Sequence, residues 1–455
     1  MNMVASRYLV VGDRTYRRAD DSIVRVGFSS RTGKAFSMDR DTADRLRTGH
    51  IEAIAPATLA ELTRLGVVVD ASRDELDDVL AVFTDARESR RRRTFAIMPT
   101  AYCNMGCSYC GQEHFRTRHN PERTERLARR VEAVMEAPET ELVTVNWFGG
   151  EPLLAYRLII EMSERFVAKA AETSTEYHAR MPTNGSLISV RKLTELHERC
   201  RLRHVDITID GPQEIHDRRR ILKNGMNSFH KCVAVLAEIA REDLIPGLRV
   251  NIRVNVDNEN EPHIPRLLDD LAAAGLNVPR FTVQFAPVHS WGNDVSNVEL
   301  GIRSFAEREL ALLRTVADMG FSRAVLPGVK SSTCLATSRG AELHDPTGKV
   351  YSCTEYPLVP VVRDTGVLAR TEDLVGAQPR PVGPFDDWYD QVADEAQSCH
   401  RCPFLPVCGG SCPKLWREGH LPCPSFKFNF QDRLHLHATG ALGLRPLPEV
   451  SGASN

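Results

Sequence analysis

The sequence predicts an α/β protein with a partial (β/α)6 barrel at its centre, a small mixed module before it and a cysteine-rich region after it. Three observations carry this reading. Six short apolar runs alternate with amphipathic segments between 94 and 288, the pattern of parallel strands joined by right-handed helical crossovers. Ten of the twelve cysteines fall into two regularly spaced groups, one early in the barrel and one near the C-terminus. The first 75 residues mix strand-like and helical patterns and end before a charged connector.

Taken in order, residues 1–75 open with strand-like runs at 8–11 and 23–26. Helical patterns follow at 42–47 and 57–65, then an apolar run at 66–69. Residues 76–93 read as a linker helix that ends in four consecutive arginines, Arg90 to Arg93; such a charge run reads as solvated surface or as a field that steers an acidic peptide. The barrel is expected over 94–305, with strands at 94–98, 142–147, 177–181, 204–209, 249–256 and 281–285. Between them lie helical patterns at 125–135, 158–171, 193–198, 229–240 and 264–274. Functional groups of such a sheet collect at the C-terminal ends of its strands. A bridging helix near 304–319 leads into a cysteine-rich domain, so that 306–440 forms one region and 441–455 a loose tail.

Net charge is −2, which gives no basic field for nucleic acid. No apolar stretch reaches bilayer length and the N-terminus lacks signal-peptide features, so the expected setting is cytoplasmic, with no membrane and no nucleic-acid partner. In a reducing compartment, cysteines in repeated spacings read as metal ligands rather than disulfides. Cys200 and Cys232 fit neither group and read as buried small hydrophobes.

The chemistry begins at Cys103, Cys107 and Cys110, spaced C-x3-C-x2-C directly after the first barrel strand. Three thiolates can hold three irons of a four-iron cluster and leave the fourth open to a chelating ligand; taken alone, the triplet also fits zinc or three buried thiols. Near the C-terminus, Cys399, Cys402, Cys408 and Cys412 are spaced C-x2-C-x5-C-x3-C, Cys423 follows, and Cys334 and Cys353 precede them. A zinc ribbon built from Cys399 to Cys412 would leave the other three idle.

The triplet resembles the cluster motif of radical S-adenosylmethionine (SAM) enzymes, and the C-terminal pattern resembles the SPASM extension found on family members that modify peptides. Further motifs match at the expected places. Gly149, Gly150 and Glu151, in Trp147-Phe148-Gly149-Gly150-Glu151-Pro152 after the second strand, resemble the GGEP motif that receives the methionine ammonium. Glycines let main chain approach closely and Glu151 offers a charge partner. Tyr109 occupies the aromatic position facing adenine, and Asn184 lies in a TNG-like turn after the third strand. Thr208 and Asp210, after the fourth strand, match the hydroxyl and carboxylate that approach the ribose. Arg253, with Asn255, sits on the fifth strand as a contact for the methionine carboxylate or ribose, or as a surface pair. His216 reads as a structural turn histidine. No catalytic base is identified.

This resemblance implies three [4Fe-4S] clusters and SAM as cofactors. One auxiliary cluster would sit on Cys399, Cys402, Cys408 and Cys423, the other on Cys334, Cys353 and Cys412, which leaves that second cluster without a fourth cysteine. An external electron donor such as flavodoxin or ferredoxin is implied. Residues 1–75 resemble the winged-helix-like RiPP recognition element, which binds leader peptides of ribosomally made precursors, so a precursor peptide is the expected partner. Sulfatase-maturing relatives carry an acidic residue after the cysteine matching Cys353, whereas this chain has Thr354 there. The expected reaction is therefore a carbon–carbon, ether or thioether crosslink in a peptide. The alternatives are radical dehydrogenation of a small alcohol or amine, a non-enzymatic iron–sulfur electron carrier, and a zinc-dependent peptide scaffold.

Overall fold

The computed structural model describes residues 2–322 and 324–448. The chain packs as two compact units. One gathers the described residues of Met1–Ala86, Ala324–Thr333 and Asp387–Asn455, the other those of Arg87–Arg323 and Cys334–Asp386.

The second unit holds the predicted parallel sheet. Strands β1 (Arg92–Ile97), β2 (Leu142–Trp147), β3 (Glu176–Thr183), β4 (Leu202–Thr208), β5 (Arg249–Val256) and β6 (Phe281–Pro287) lie side by side in sequence order, all parallel. Helices α1 (Pro121–Met135), α2 (Tyr156–Thr173), α3 (Val190–Cys200), α4 (Phe229–Glu242) and α5 (Ile264–Ala273) lie on the crossovers, and α6 (Ile302–Asp318) follows β6. Two starts are capped as their sequences dictate. Asn120 Oδ1 accepts from Arg123 N at 3.0 Å before α1, and Ser189 Oγ accepts from Lys192 N at 3.2 Å before α3.

Alternation along the strands sorts the two faces of the sheet. Val143, Val145 and Trp147 on β2, Val205 and Ile207 on β4, and Val250, Ile252 and Val254 on β5 are buried in one apolar core. The intervening positions are polar and bond across strands: Asn251 Nδ2 donates to Asp206 Oδ1 at 2.7 Å and to Gln284 Oε1 at 2.9 Å. One face is thus hydrocarbon while the other offers hydrogen-bonding groups, which is where polar chemistry can be housed.

The sheet does not stop at six strands. β7 (Ala341–His344) pairs in parallel with β1, and β8 (Lys349–Tyr351) and β9 (Ala369–Arg370) extend it antiparallel. These residues fall within the 306–440 segment that the sequence reading kept apart from the barrel. Their attachment has a physical cause. Glu342 on β7 is fully buried and receives Arg93 Nη2 at 3.0 Å and Arg130 Nε at 3.2 Å, with His344 Nε2 at 3.1 Å. Arg93, read from the sequence as solvated, is 1% exposed.

In the first unit, an antiparallel sheet runs in the order Arg445–Pro446, Leu9–Arg17, Ile23–Ser29, Lys34–Asp39. A separate pair joins Met3–Ala5 to Val68–Asp70, and helices span Arg40–Thr48, Pro56–Arg64 and Glu75–Glu88. The strand Lys34–Asp39 has no counterpart in the sequence reading. The boundaries 1–75, 76–93 and 441–455 are likewise not those of the packing. The ring of Phe28 lies tilted 5.1 Å from that of Phe430, which lies 4.6 Å from that of Phe404. The 76–93 connector contributes Phe83, 4.9 Å from Tyr389. Leu444 is buried, and Arg445–Pro446 pairs with Tyr16–Arg17, so 441–448 is anchored rather than loose; the remainder of that expected tail lies outside the described residues. Among the described residues no helix is long and apolar enough to cross a membrane.

Two measurements check these packing arguments. Phe28→Ala is expected to cost about 3–5 kcal/mol in a chemical-denaturation midpoint series. Glu342→Ala strands two buried guanidinium groups and is expected to cost a further, similar amount, about 3–5 kcal/mol. Burial opposes ionisation of Glu342, but His344 and Arg130 outweigh it and hold the carboxyl down at about 2. A depressed folded value gives stability that is full above the unfolded carboxylate range and is lost as pH falls toward 2. Glu342→Gln should therefore flatten the wild-type loss of stability between about pH 4.5 and pH 2; an unchanged acid limb would remove this role.

Candidate functional site

At the C-terminal ends of β2 to β6 lies a cavity of about 460 Å³. Cys103, Cys107 and Cys110 line it together, with Tyr109, Gly149, Gly150, Asn184, Thr208 and Arg253. The loop carrying the cysteines is strapped by a short antiparallel ribbon in which Met105–Cys107 pairs with Arg220–Leu222. Burial, followed by the nearby Glu151 carboxylate and the Cys107 thiol, pushes Cys103 up to about 11, and burial raises Cys110 as well. Unligated thiols so placed stay protonated; a metal would release their protons on binding. Three thiols on one cavity wall, with the guanidinium of Arg220 beside Cys107, form a donor set suited to an iron–sulfur cluster. Among the described residues, no three His, Cys, Asp or Glu side chains draw together tightly enough for a single metal ion.

Gly149 and Gly150 serve the cluster loop directly. A Cβ on Gly149 would lie 2.6 Å from Thr100 O, and one on Gly150 would lie 2.3 Å from Tyr102 O and 2.9 Å from Cys103 N. Gly149 also has φ +121°, which other residues rarely adopt. The two glycines therefore let the exit of β2 lie against the loop that carries Cys103.

Two of the expected cofactor contacts, Glu151 and Asp210, are buried and bonded to neighbouring protein groups. Glu151 is fully buried and absent from the cavity wall. Its Oε1 accepts from Leu153 N at 2.9 Å and Thr183 Oγ1 at 2.8 Å, and its Oε2 accepts from Asn184 N at 2.7 Å. Burial raises its pKa and these three donors oppose the rise. The carboxylate is thus spent on holding the ends of β2 and β3, and its role is positioning. Asn184, held this way, donates its Nδ2 to Asn104 Oδ1 at 2.8 Å and faces Cys103 Sγ at 3.7 Å.

Asp210 is also fully buried and off the cavity wall. It accepts from Tyr109 OH, from Asn255 N at 2.8 Å and from Arg220 Nη1 at 3.4 Å. This carboxylate fixes Tyr109. Arg219 completes the clamp, its guanidinium carbon 5.2 Å from the centre of the Tyr109 ring. Burial works against the Arg220 charge, yet Cys107, Tyr109 and Asp210 raise its pKa overall. Sequence reasoning missed Arg220; the adjacent pair Arg219-Arg220 after the Asp210 turn was the available signal. Arg253 and Asn255 do line the cavity, and Arg253 Nε donates to Asn255 Oδ1 at 2.9 Å. His216 is buried, bonded to Asp210 N at 3.3 Å and Ser228 Oγ at 3.1 Å, and its pKa is pushed down to about 3, chiefly by burial.

In the other unit, Cys399, Cys402, Cys408 and Cys423 line one small pocket with Lys427. Burial first, then their mutual repulsion, pushes Cys399 up to about 12 and Cys408 to about 11. The cysteine loop is pinned by Trp388 Nε1 donating to Gly409 O at 3.0 Å and Trp416 Nε1 to Gly410 O at 2.8 Å. Cys412 belongs to this unit but does not line that pocket. Cys334, exposed, and Cys353, buried, belong to the barrel unit.

Comparison with known proteins follows this geometry. Residues 97–271 match the radical SAM superfamily. A serine-type anaerobic sulfatase-maturating enzyme of Klebsiella aerogenes is 24% identical over 68% of this chain and 77% of its own length. An uncharacterized Synechocystis protein is 28% identical over 32% of this chain, a match spanning only 38% of that relative. Among solved structures, anSMEcpe with bound AdoMet and Cp18Cys peptide shares the fold, with a TM-score of 0.57 at 17% identity over 76% of this chain and 98% of that one.

The tight approach of Gly150 to the cysteine loop predicts that Gly150→Ala displaces Cys103 and abolishes iron binding at this loop. Gly106→Ala, whose Cβ would meet nothing within 4 Å, is the control and should retain it. Anaerobic iron quantification after reconstitution distinguishes the two; equal iron in both would refute the packing role of Gly150.

Proposed function

We propose that this chain, a radical SAM enzyme with a SPASM-type cysteine-rich extension, modifies a ribosomally made precursor peptide by installing a carbon–carbon, ether or thioether crosslink. The observation that supports it most is the shared cavity wall of Cys103, Cys107 and Cys110 with the ends of five parallel strands. When bound, the cluster and SAM supply an electron and a 5′-deoxyadenosyl radical able to remove hydrogen from an unactivated C–H bond.

The chain's own residues bind and orient. Cys103, Cys107 and Cys110 hold the cluster. The Gly149–Gly150 backbone and Asn184 lie at the wall suited to the methionine end of SAM, with Thr208, Arg253 and Asn255 toward ribose and carboxylate. Tyr109 is held still by Asp210 and Arg220, so its face is ready for a ring without loss of rotamer freedom on binding. Auxiliary clusters are assigned to Cys399, Cys402, Cys408 and Cys423, and to Cys334, Cys353 and Cys412 with a fourth ligand of another kind. Electrons would enter from a flavodoxin- or ferredoxin-class donor.

The leader would add at the strand Lys34–Asp39. It is the outermost strand of its sheet and pairs only with Ile23–Ser29 among the described residues. Sulfatase maturation is the second reading, favoured by the names of the relatives. Thr354 in place of an acidic residue stands against it.

Anaerobically purified protein should carry about twelve irons per chain, and the triple Cys103, Cys107 and Cys110→Ala variant about eight. Iron near four in the intact protein would remove the auxiliary clusters. With a strong reductant the protein should convert SAM into 5′-deoxyadenosine and methionine, and mass spectrometry of a precursor encoded beside its gene should show loss of a hydrogen pair. SAM turnover with formylglycine formed in a sulfatase peptide, and no change in the precursor, would select the second reading.

A further inference from the structure

A second cavity, of about 580 Å³, lies in the barrel unit away from the cysteine loop. It opens between the N-terminal ends of α1 and α2, beside the exit of β1 and the turn at Asp345–Pro346. Nothing in the proposed radical chemistry uses it.

Its lining has two chemical parts. Ile97, Leu127 and Met162 give a buried apolar floor, and exposed Leu154 adds an apolar side chain to the rim. Arg118, Arg123, Arg157 and Lys192 stand around it, with Asp345 the one carboxylate among the lining residues. That carboxylate is turned into its own loop, accepting from Thr347 N at 2.8 Å and Lys349 N at 2.9 Å. In a chain whose net charge is −2, this cavity is locally cationic. The cations are not consumed by internal acids. Arg118 and Arg157 are exposed and make no ion pair or hydrogen bond within the described residues. Arg123 Nη1 donates to the carbonyl of Pro346 at 2.7 Å and Lys192 Nζ to that of Leu187 at 3.0 Å, so both are oriented while their charge stays uncompensated.

We infer that this cavity binds an acidic peptide segment in which carboxylates flank an apolar side chain. The apolar floor would take the side chain, while separated guanidinium groups meet carboxylates on either side. The inference rests on this cavity alone and stands or falls independently of the radical chemistry.

The test uses the full-length, cluster-reconstituted protein and a fluorescein-labelled peptide alternating glutamate and leucine, read by fluorescence anisotropy. Binding is expected to weaken about tenfold in Arg118→Glu/Arg157→Glu, since each exposed charge pair is worth a fraction of a kcal/mol and two are reversed. It should also weaken when salt rises from about 50 to about 300 mM, and be absent for the same peptide with lysine in place of glutamate. Leu154→Ser, which adds no charge, should weaken binding of the Glu-Leu peptide but not of an all-glutamate peptide. A photo-crosslinking leucine in the probe should label residues of this cavity. Unchanged affinity in the double arginine variant, complete competition by millimolar inorganic phosphate, or labelling confined to other residues would overturn the inference. Both arginines are exposed and outside the cofactor cavity, and unaltered SAM cleavage by the double variant reports an intact fold.

Discussion

The buried carboxylate of Glu151 locks the exits of two paired strands, β2 and β3, against the cysteine loop. Its oxygens take the main chain just after β2 and both the hydroxyl and the main chain at the end of β3. Its own N–H donates to Tyr102 O at 3.0 Å, which brings in the cysteine loop. From there Asn184 reaches Asn104 and the Cys103 sulfur. A carboxylate in a dry interior is costly unless each oxygen is satisfied. Here satisfying it requires β2, β3 and the cysteine loop to hold one arrangement, so the energetic demand becomes a geometric specification.

Asp210 repeats the logic one strand further on. Its carboxylate joins the turn after β4, the backbone of β5 and the Tyr109 hydroxyl, while Arg220 arrives on the ribbon that straps Cys107. Both acids that stand in cofactor-contacting motifs therefore work behind the cavity wall. They fix what the wall presents: glycine backbone, an amide and an aromatic ring. A site that must exclude stray reactions gains from walls whose rotamers are locked by neighbours.

Periodicity made the parallel sheet readable. Leu142–Trp147 and Arg249–Val256 were delimited to the residue because β-branched and apolar positions alternate cleanly between turn signals. Spacing alone groups Cys399, Cys402, Cys408 and Cys412, whereas the SPASM resemblance implies the set Cys399, Cys402, Cys408 and Cys423, and it is these four that line one pocket. The losses have physical causes. Glu151 and Asp210 have the residue type a ligand contact needs, and only burial reveals that each is already bonded. Arg93 looked like the end of a charged run because its partner, Glu342, lies far away in the chain. The strand Lys34–Asp39 is short and has charged ends, which hides it from a pattern search. Packing of Phe28 on Phe430 is a long-range choice that no local window carries.

That last packing has a consequence for synthesis. The sheet built from Leu9–Arg17, Ile23–Ser29 and Lys34–Asp39 emerges from the ribosome well before Phe404, Phe430 and the edge strand Arg445–Pro446. At ordinary elongation speeds the wait is on the order of half a minute. During that time the apolar side of three strands has no cover of its own, a state open to strand pairing with other nascent chains. The pocket of Cys399, Cys402, Cys408 and Cys423 is made on the segment that ends the wait. Formation of this cysteine pocket and covering of the N-terminal sheet are therefore one event in time, because the same late segment supplies both.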